Sequence, residues 1–124
     1  KTRTSVKNQT VYSNDPDIRW RIAEAALAMN AVGPQIRELA RDIDAGVDRG
    51  PIWMPQLSAA KNASAEATLR AVEQAIRACG GSSYYNRHEL SRLYRDALAG
   101  LFQPSDQESL HGAWANVILG PIEK

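Results

Sequence analysis

Cys79–Leu110, CGGSSYYNRHELSRLYRDALAGLFQPSDQESL, is the stretch that decides the fold. Gly80-Gly81 stops a long helical pattern with a left-handed cap. A short amphipathic helix follows, with Leu90, Leu93, Tyr94, Ala97 and Leu98 on one stripe. The polar elbow Gln103-Pro104-Ser105-Asp106 then starts another, whose stripe is Leu110, Trp114, Val117 and Ile118 before Gly120-Pro121 ends it. Asn86–Glu89 and Ser105–Glu108 both have capping-box spacing, and Ser105 makes the better match.

Upstream lies scaffold. Ile18, Ile22, Ala25, Met29, Val32, Ile36, Leu39, Ile43 and Val47 recur in alternating steps of four and three, one helical stripe. Arg21, Glu24, Asn30, Gln35, Arg37, Glu38, Arg41, Asp42 and Asp44 are expected to face water. Asp15 or Asp17 can cap this helix. Pro34 is expected to kink it without breaking it, because only one backbone donor is lost. Gly46 and Gly50 mark the exit through the turn Asp48–Pro51.

A second long helix is predicted from near Ile52 to Cys79. Its interior is rich in alanine (Ala59, Ala60, Ala63, Ala65, Ala67, Ala71, Ala75 and Ala78), which favours helix and lets a neighbour approach closely. Trp53, Met54, Leu57, Leu69, Val72 and Ile76 add bulk at its two ends. Lys1–Asp15 is polar and reads as an extended arm, so the expected organisation is an arm over 1–15 and a helical bundle over 16–121. No alternating strand pattern interrupts it. The fold class is all-α, an up-down bundle of two long and two short helices.

Length then sets an expectation of its own. The long helices reach roughly 40 Å and the short ones roughly 20 Å, so the short pair cannot cover both long stripes. Apolar surface is expected to remain open, as at an interface. Self-association as a dimer or tetramer, or docking on a segment outside this sequence, follows.

The totals exclude several classes. Fifteen Lys and Arg against fourteen Asp and Glu leave a formal net charge of +1, too little field for a general nucleic-acid or acidic-membrane binder. The single cysteine, Cys79, makes no internal disulfide, and no Cys/His spacing suggests a metal. Neither a signal-like nor a membrane-length apolar run is present. The expected setting is cytoplasmic, with no nucleic-acid and no membrane partner. A chain opening on Lys1 without Met is expected to be a fragment or a processed product.

Chemistry-bearing residues are few. Gly80-Gly81 could offer backbone N–H groups to a phosphate, though a helix stop accounts for both. Neither a preceding strand nor the G-x-G-x-x-G spacing makes it a Rossmann turn. Arg95 and Asp96 point along different faces of a short helix and suit separate ion pairs. His88 and His111 have no nucleophile near them in sequence. Asp106 and Glu108 open a helix, where the macrodipole favours carboxylates. Tyr84, Tyr85, Tyr94 and Trp114 fit core positions better than a stacking site.

The order of these pieces resembles the C-terminal helical domain of the acyl-CoA dehydrogenase family, and most closely its flavin-dependent monooxygenase branch. Asp17–Asp44 is similar to the family's penultimate long helix, with the tail Arg41-Asp42-Ile43-Asp44-Ala45-Gly46. Ser58-Ala59-Ala60-Lys61 resembles the small-residue-plus-lysine signature of the next helix. Ile76–Tyr84 resembles the Gly-Gly segment, and Leu93-Tyr94-Arg95-Asp96-Ala97 the Arg-Asp helix. The likeness runs from Asp17 to Pro121.

That resemblance implies a parent flavoprotein with an N-terminal helical domain, a β-domain and a C-terminal bundle that assembles as a dimer of dimers. FAD, or FMN, would lie between subunits of the complete protein, with none held by this chain alone. Gly80, Gly81 and Ser82 would lie near a neighbour's dinucleotide, and Phe102, Gln103 and Ser105 near the flavin ring. The arm around Arg3 and Thr4 would match the phosphate-contacting segment. Gln103 is the one candidate catalytic residue. The dehydrogenases that carry their base here have Glu in a Tyr-Glu-Gly-Thr setting, and the monooxygenases often have His. Gln103 cannot titrate as either does. The resemblance thus implies an oxidoreductase parent, dehydrogenase or monooxygenase, with this piece inactive alone. The rival expectation is a free-standing helical interaction module.

Overall fold

The computed structural model describes Thr4 and residues 11–123. The described residues fold as four α-helices: α1 (Pro16–Asp44), α2 (Trp53–Cys79), α3 (Glu89–Phe102) and α4 (Gln107–Leu119). Short 3-10 turns precede α1 at Tyr12–Asn14, precede α2 at Gly50–Ile52 and follow α2 at Gly80–Tyr84. Of the arm, Thr4 pairs with Val11 in one antiparallel bridge. Arg3 lies outside the described residues.

Asp15 is the α1 cap: its carboxylate accepts from the N–H of Asp17 at 2.9 Å and of Ile18 at 3.3 Å, with Pro16 in the first turn. The helix runs unbroken through Pro34. Gly80 closes α2 at φ +69°, a conformation that costs a side chain dearly, whereas Gly81 keeps an ordinary φ. The expected caps at Asn86 and Ser105 fall elsewhere. His88 caps α3, accepting from the N–H of Leu90, and Asp106 caps α4, accepting from the N–H of Ser109 at 2.9 Å. In both cases the capping side chain stands directly before the helix, where its backbone is extended and its acceptor reaches the first turn.

Helix α2 is the hub. It packs along α1 on one side and carries α3 and α4 on the other. The α1–α2 pairing is antiparallel: Arg21 donates to Gln74 and Glu24 pairs with Arg70 at one end, while Arg49, Asp42 and Gln56 meet at the other. This corrects the assignment of Arg21, Glu24 and Asp42 to water. The face of α1 that meets α2 is rotated from the centre of the apolar stripe, so these polar side chains frame the contact. At the hairpin end, Asp42 accepts from the Arg49 Nε at 2.6 Å, and the Arg49 guanidinium also lies over the Trp53 ring.

The stripe of α1 is consequently split. Val32 is buried, and Ile18, Ala25 and Leu39 are half-buried, while Ile22, Met29, Ile36 and Ile43 stay exposed. Among the described residues the buried apolar side chains are Val32, Pro55, Ala60, Ala67, Ala78 and Ala97, so only two are larger than alanine. Such a core removes little apolar area from water. The accessible surface is 9004 Å², against roughly 6,600 Å² for a compact chain of this mass.

Candidate functional site

The elbow between α3 and α4 is the most heavily anchored loop among the described residues. Lys61, on α2, donates to the carbonyls of Gly100 at 2.7 Å, Gln103 at 2.6 Å and Ser105 at 3.1 Å. Asn62, buried beside it, donates to Ser58 O and Ser105 O, each at 2.9 Å. Gly100 lets α3 come this close: a Cβ there would sit 3.0 Å from the Ala65 Cβ. The side chains of Phe102, Gln103 and Pro104 are exposed, with Phe102 at 80%.

The Gly80–Ser82 segment lies at the other end of α2. Nothing approaches within 4 Å of the Cβ positions of Gly80 and Gly81, and the Gly80 N–H donates to Ile76 O. Ser82 Oγ donates to Cys79 O at 3.2 Å, and the buried Ser83 donates to Gly80 O at 2.7 Å. Nineteen residues of sequence separate Lys61 from Gly80, roughly 28 Å of helix. The two clusters foreseen from sequence are therefore not one pocket in a single chain. Each is a separate surface, with Gly80 and Gly81 exposed at one and Phe102, Gln103 and Pro104 exposed at the other.

Other candidates resolve into structure. Asp96 accepts from Arg92 at 2.6 Å, Arg92 also pairs with Glu89, and Arg95 is exposed. The hydrogen bond from Arg92 lowers the Glu89 pKa. Hydrogen bonding from Ser109 lowers that of Asp106, with a smaller contribution from the charge of Lys61, which fits a capping carboxylate better than a general acid. His111 Nδ1 lies 2.7 Å from Gln107 O, one turn back along α4. Tyr84 and Tyr85, expected in the core, are 87% and 58% exposed and meet edge to face, with Arg87 over the Tyr85 ring. In α4, Trp114 is half-buried but Val117 and Ile118 are exposed, so its expected stripe is only partly covered.

Among the described residues, no group of three or more His, Cys, Asp or Glu side chains could hold a metal ion. No helix is long and apolar enough to cross a membrane. A hollow of about 930 Å³ lies beside the start of α1 against Tyr12, Ile18, Arg19 and Trp20. A narrower groove of about 350 Å³ runs between α1 and α2, lined by Ile36, Ile43, Leu57 and the Lys61 stem among others. Sequence reasoning missed the anchoring by Lys61 and Asn62. The available signal was a Lys-Asn pair inside an alanine-rich helix, one of them forced towards the bundle.

The fold, the Gly80 stop and the Arg-Asp helix all agree with one family, and its model, described as "Acyl-CoA dehydrogenase, C-terminal domain", matches residues 2–102. The chain belongs to that family. No curated protein and no solved structure matches alongside it. As a C-terminal domain of this family, the chain is a domain of a dehydrogenase-like protein, and the family is FAD-dependent in general. The matched region ends at Phe102, so Gln103 and Ser105 lie just beyond it.

Proposed function

We propose that this domain serves a flavin-dependent oxidoreductase, supplying its oligomer interface and part of the flavin and substrate pocket. The observation that carries the reading is the family match over residues 2–102. The exposed row Ile22, Met29, Ile36 and Ile43 supports the interface half. Occupation by a second copy, giving a dimer or tetramer, accounts for a row left exposed among the described residues.

The pocket half rests on the two open surfaces at opposite ends of α2. A flavin, when bound, supplies the two-electron chemistry of the parent. This chain's contribution is contact: the Gly80–Ser82 backbone toward a dinucleotide of a neighbouring subunit, and Phe102, Gln103 and Ser105 toward a flavin ring. Gln103 offers a donor and an acceptor but takes no proton at neutral pH. Asp106, the nearest carboxylate in sequence, is committed to capping α4. Dehydrogenation by a base from the elbow therefore suits these residues less well than a flavin oxygenase, or a parent whose activity has drifted or been lost.

The test is made on the full protein encoded with this domain. FAD titration should show saturable binding, and light scattering should give a dimer or tetramer. Gln103→Ala should change turnover or the visible spectrum of the bound flavin. A monomer that binds no FAD would favour the free-standing interaction module instead. Bound FAD with unchanged turnover and spectrum in Gln103→Ala would remove the elbow from the pocket.

A further inference from the structure

The Lys61 ammonium has three protons, and three carbonyls stand within 3.1 Å of it. Gly100 O belongs to the last turn of α3, where carbonyls lack partners along the helix, so the cation there also complements the helix C-terminus. Gln103 O and Ser105 O belong to the elbow itself. Asn62 spends both amide protons, one on its own helix at Ser58 O and one on Ser105 O. Two adjacent side chains of α2 therefore hold the elbow entirely by its backbone.

The outward side is the reverse. Phe102, Gln103 and Pro104 are exposed. A loop that merely connected α3 to α4 would not require four side-chain donors from α2. A turn fixed from beneath, with its side chains free above, is built to present those side chains at a set angle.

We propose that Lys61 and Asn62 are positioning residues that fix the elbow so that Gln103 meets the flavin. This rests on the reading that the elbow faces that ring. Lys61 acts only through the backbone of residues 100–105 and touches no cofactor. Because its stem also lines the α1–α2 groove, packing in that groove and the set of the elbow share one side chain.

The experiment is a double-mutant cycle in the full protein, read by FAD titration and amide hydrogen exchange. Lys61→Met keeps the stem and removes the donors. It is expected to raise exchange across 103–109 while leaving α1 and α2 amides unchanged, and to weaken FAD binding about tenfold, the scale of one lost charge-assisted bond. In a Gln103→Ala background the same change should cost clearly less FAD affinity than it does alone, since Lys61 acts through the elbow that carries Gln103. Full additivity, unchanged exchange at the elbow, or loosening of α1 and α2 together with it would overturn the proposal. Asn62→Ala, which removes one elbow bond, provides the milder variant should Lys61→Met fail to fold, with the same pattern expected. If Gln103→Ala itself leaves FAD binding and spectrum unchanged while Lys61→Met still frees the elbow, the flavin-facing reading falls and the role of Lys61 toward flavin falls with it. The anchoring of the turn would then stand alone.

Discussion

Helix α1 carries two apolar rows of the same heptad spacing, and they have opposite fates. Ile18, Ala25, Val32 and Leu39 turn toward α2 and are buried or half-buried, whereas Ile22, Met29, Ile36 and Ile43 are 45–57% exposed. Nothing in composition separates them, since the exposed row is, if anything, the bulkier. What differs is the neighbour available. Helix α2 is wide enough to cover one flank of α1, and α3 and α4 pack on α2, leaving the second flank without a cover. An apolar row is therefore evidence that burial is needed, but not of which surface supplies it.

The sharpest way to break this contrast is to place the same charge in each row. Val32→Asp puts an unpaired carboxylate into the α1–α2 contact and should cost about 3 kcal/mol or more, enough to unfold a marginal domain. Ile36→Asp should leave thermal stability of the separated subunit within about 0.5 kcal/mol. It should nevertheless abolish self-association of the full protein, read by light scattering. Equal destabilisation by the two, in a variant that is already monomeric, would show that the open row is covered within the chain.

A smaller effect tests how the covered flank is started. Asp15→Ala removes the α1 cap and should destabilise by about 1 kcal/mol, measured by denaturant melting, with the exposed row indifferent to it. Acid should act on α4 more gently still. The folded pKa of Asp106 is depressed by its bonds to Ser109, so its stabilising contribution is complete above the unfolded aspartate pKa of about 3.9. That contribution fades as pH falls below that value and through the folded pKa. Hydrogen exchange in α4 should accordingly rise below pH 4, and Asp106→Asn should flatten this dependence. The Glu89–Arg92–Asp96 group on the exposed side of α3 gives the least: Arg92→Gln should leave the melting midpoint unchanged in moderate salt.

Much of this molecule was legible in its residues. The 3.6-residue period of α1, the alanine run of α2, the Asp15 cap and the Gly80 stop are local, because each depends on side chains within a few positions of one another. So the helices and their order matched expectation, although α1 stops at Asp44, three residues short of Val47, and α3 is capped at His88, two residues past Asn86. The caps at His88 and Asp106 were displaced because several polar residues near each helix start compete for one geometry, and only the backbone angles choose among them. Tyr84 and Tyr85 were misread as core because a tyrosine pattern carries no information about whether another element packs over it.

The candidate site divides in the same way. Gly80, Gly81, Ser82, Phe102, Gln103 and Ser105 could be named from motif order, and the sequence by itself determined an all-α chain with unspent apolar surface. Only the tertiary structure decided that these residues form two surfaces at opposite ends of α2, that Arg21 and Glu24 frame a helix contact, and that Lys61 grips an elbow some forty residues away. Those facts depend on how α1 is rotated about its axis and on where α3 lands along α2. Long-range packing fixes both, and no local periodicity encodes them.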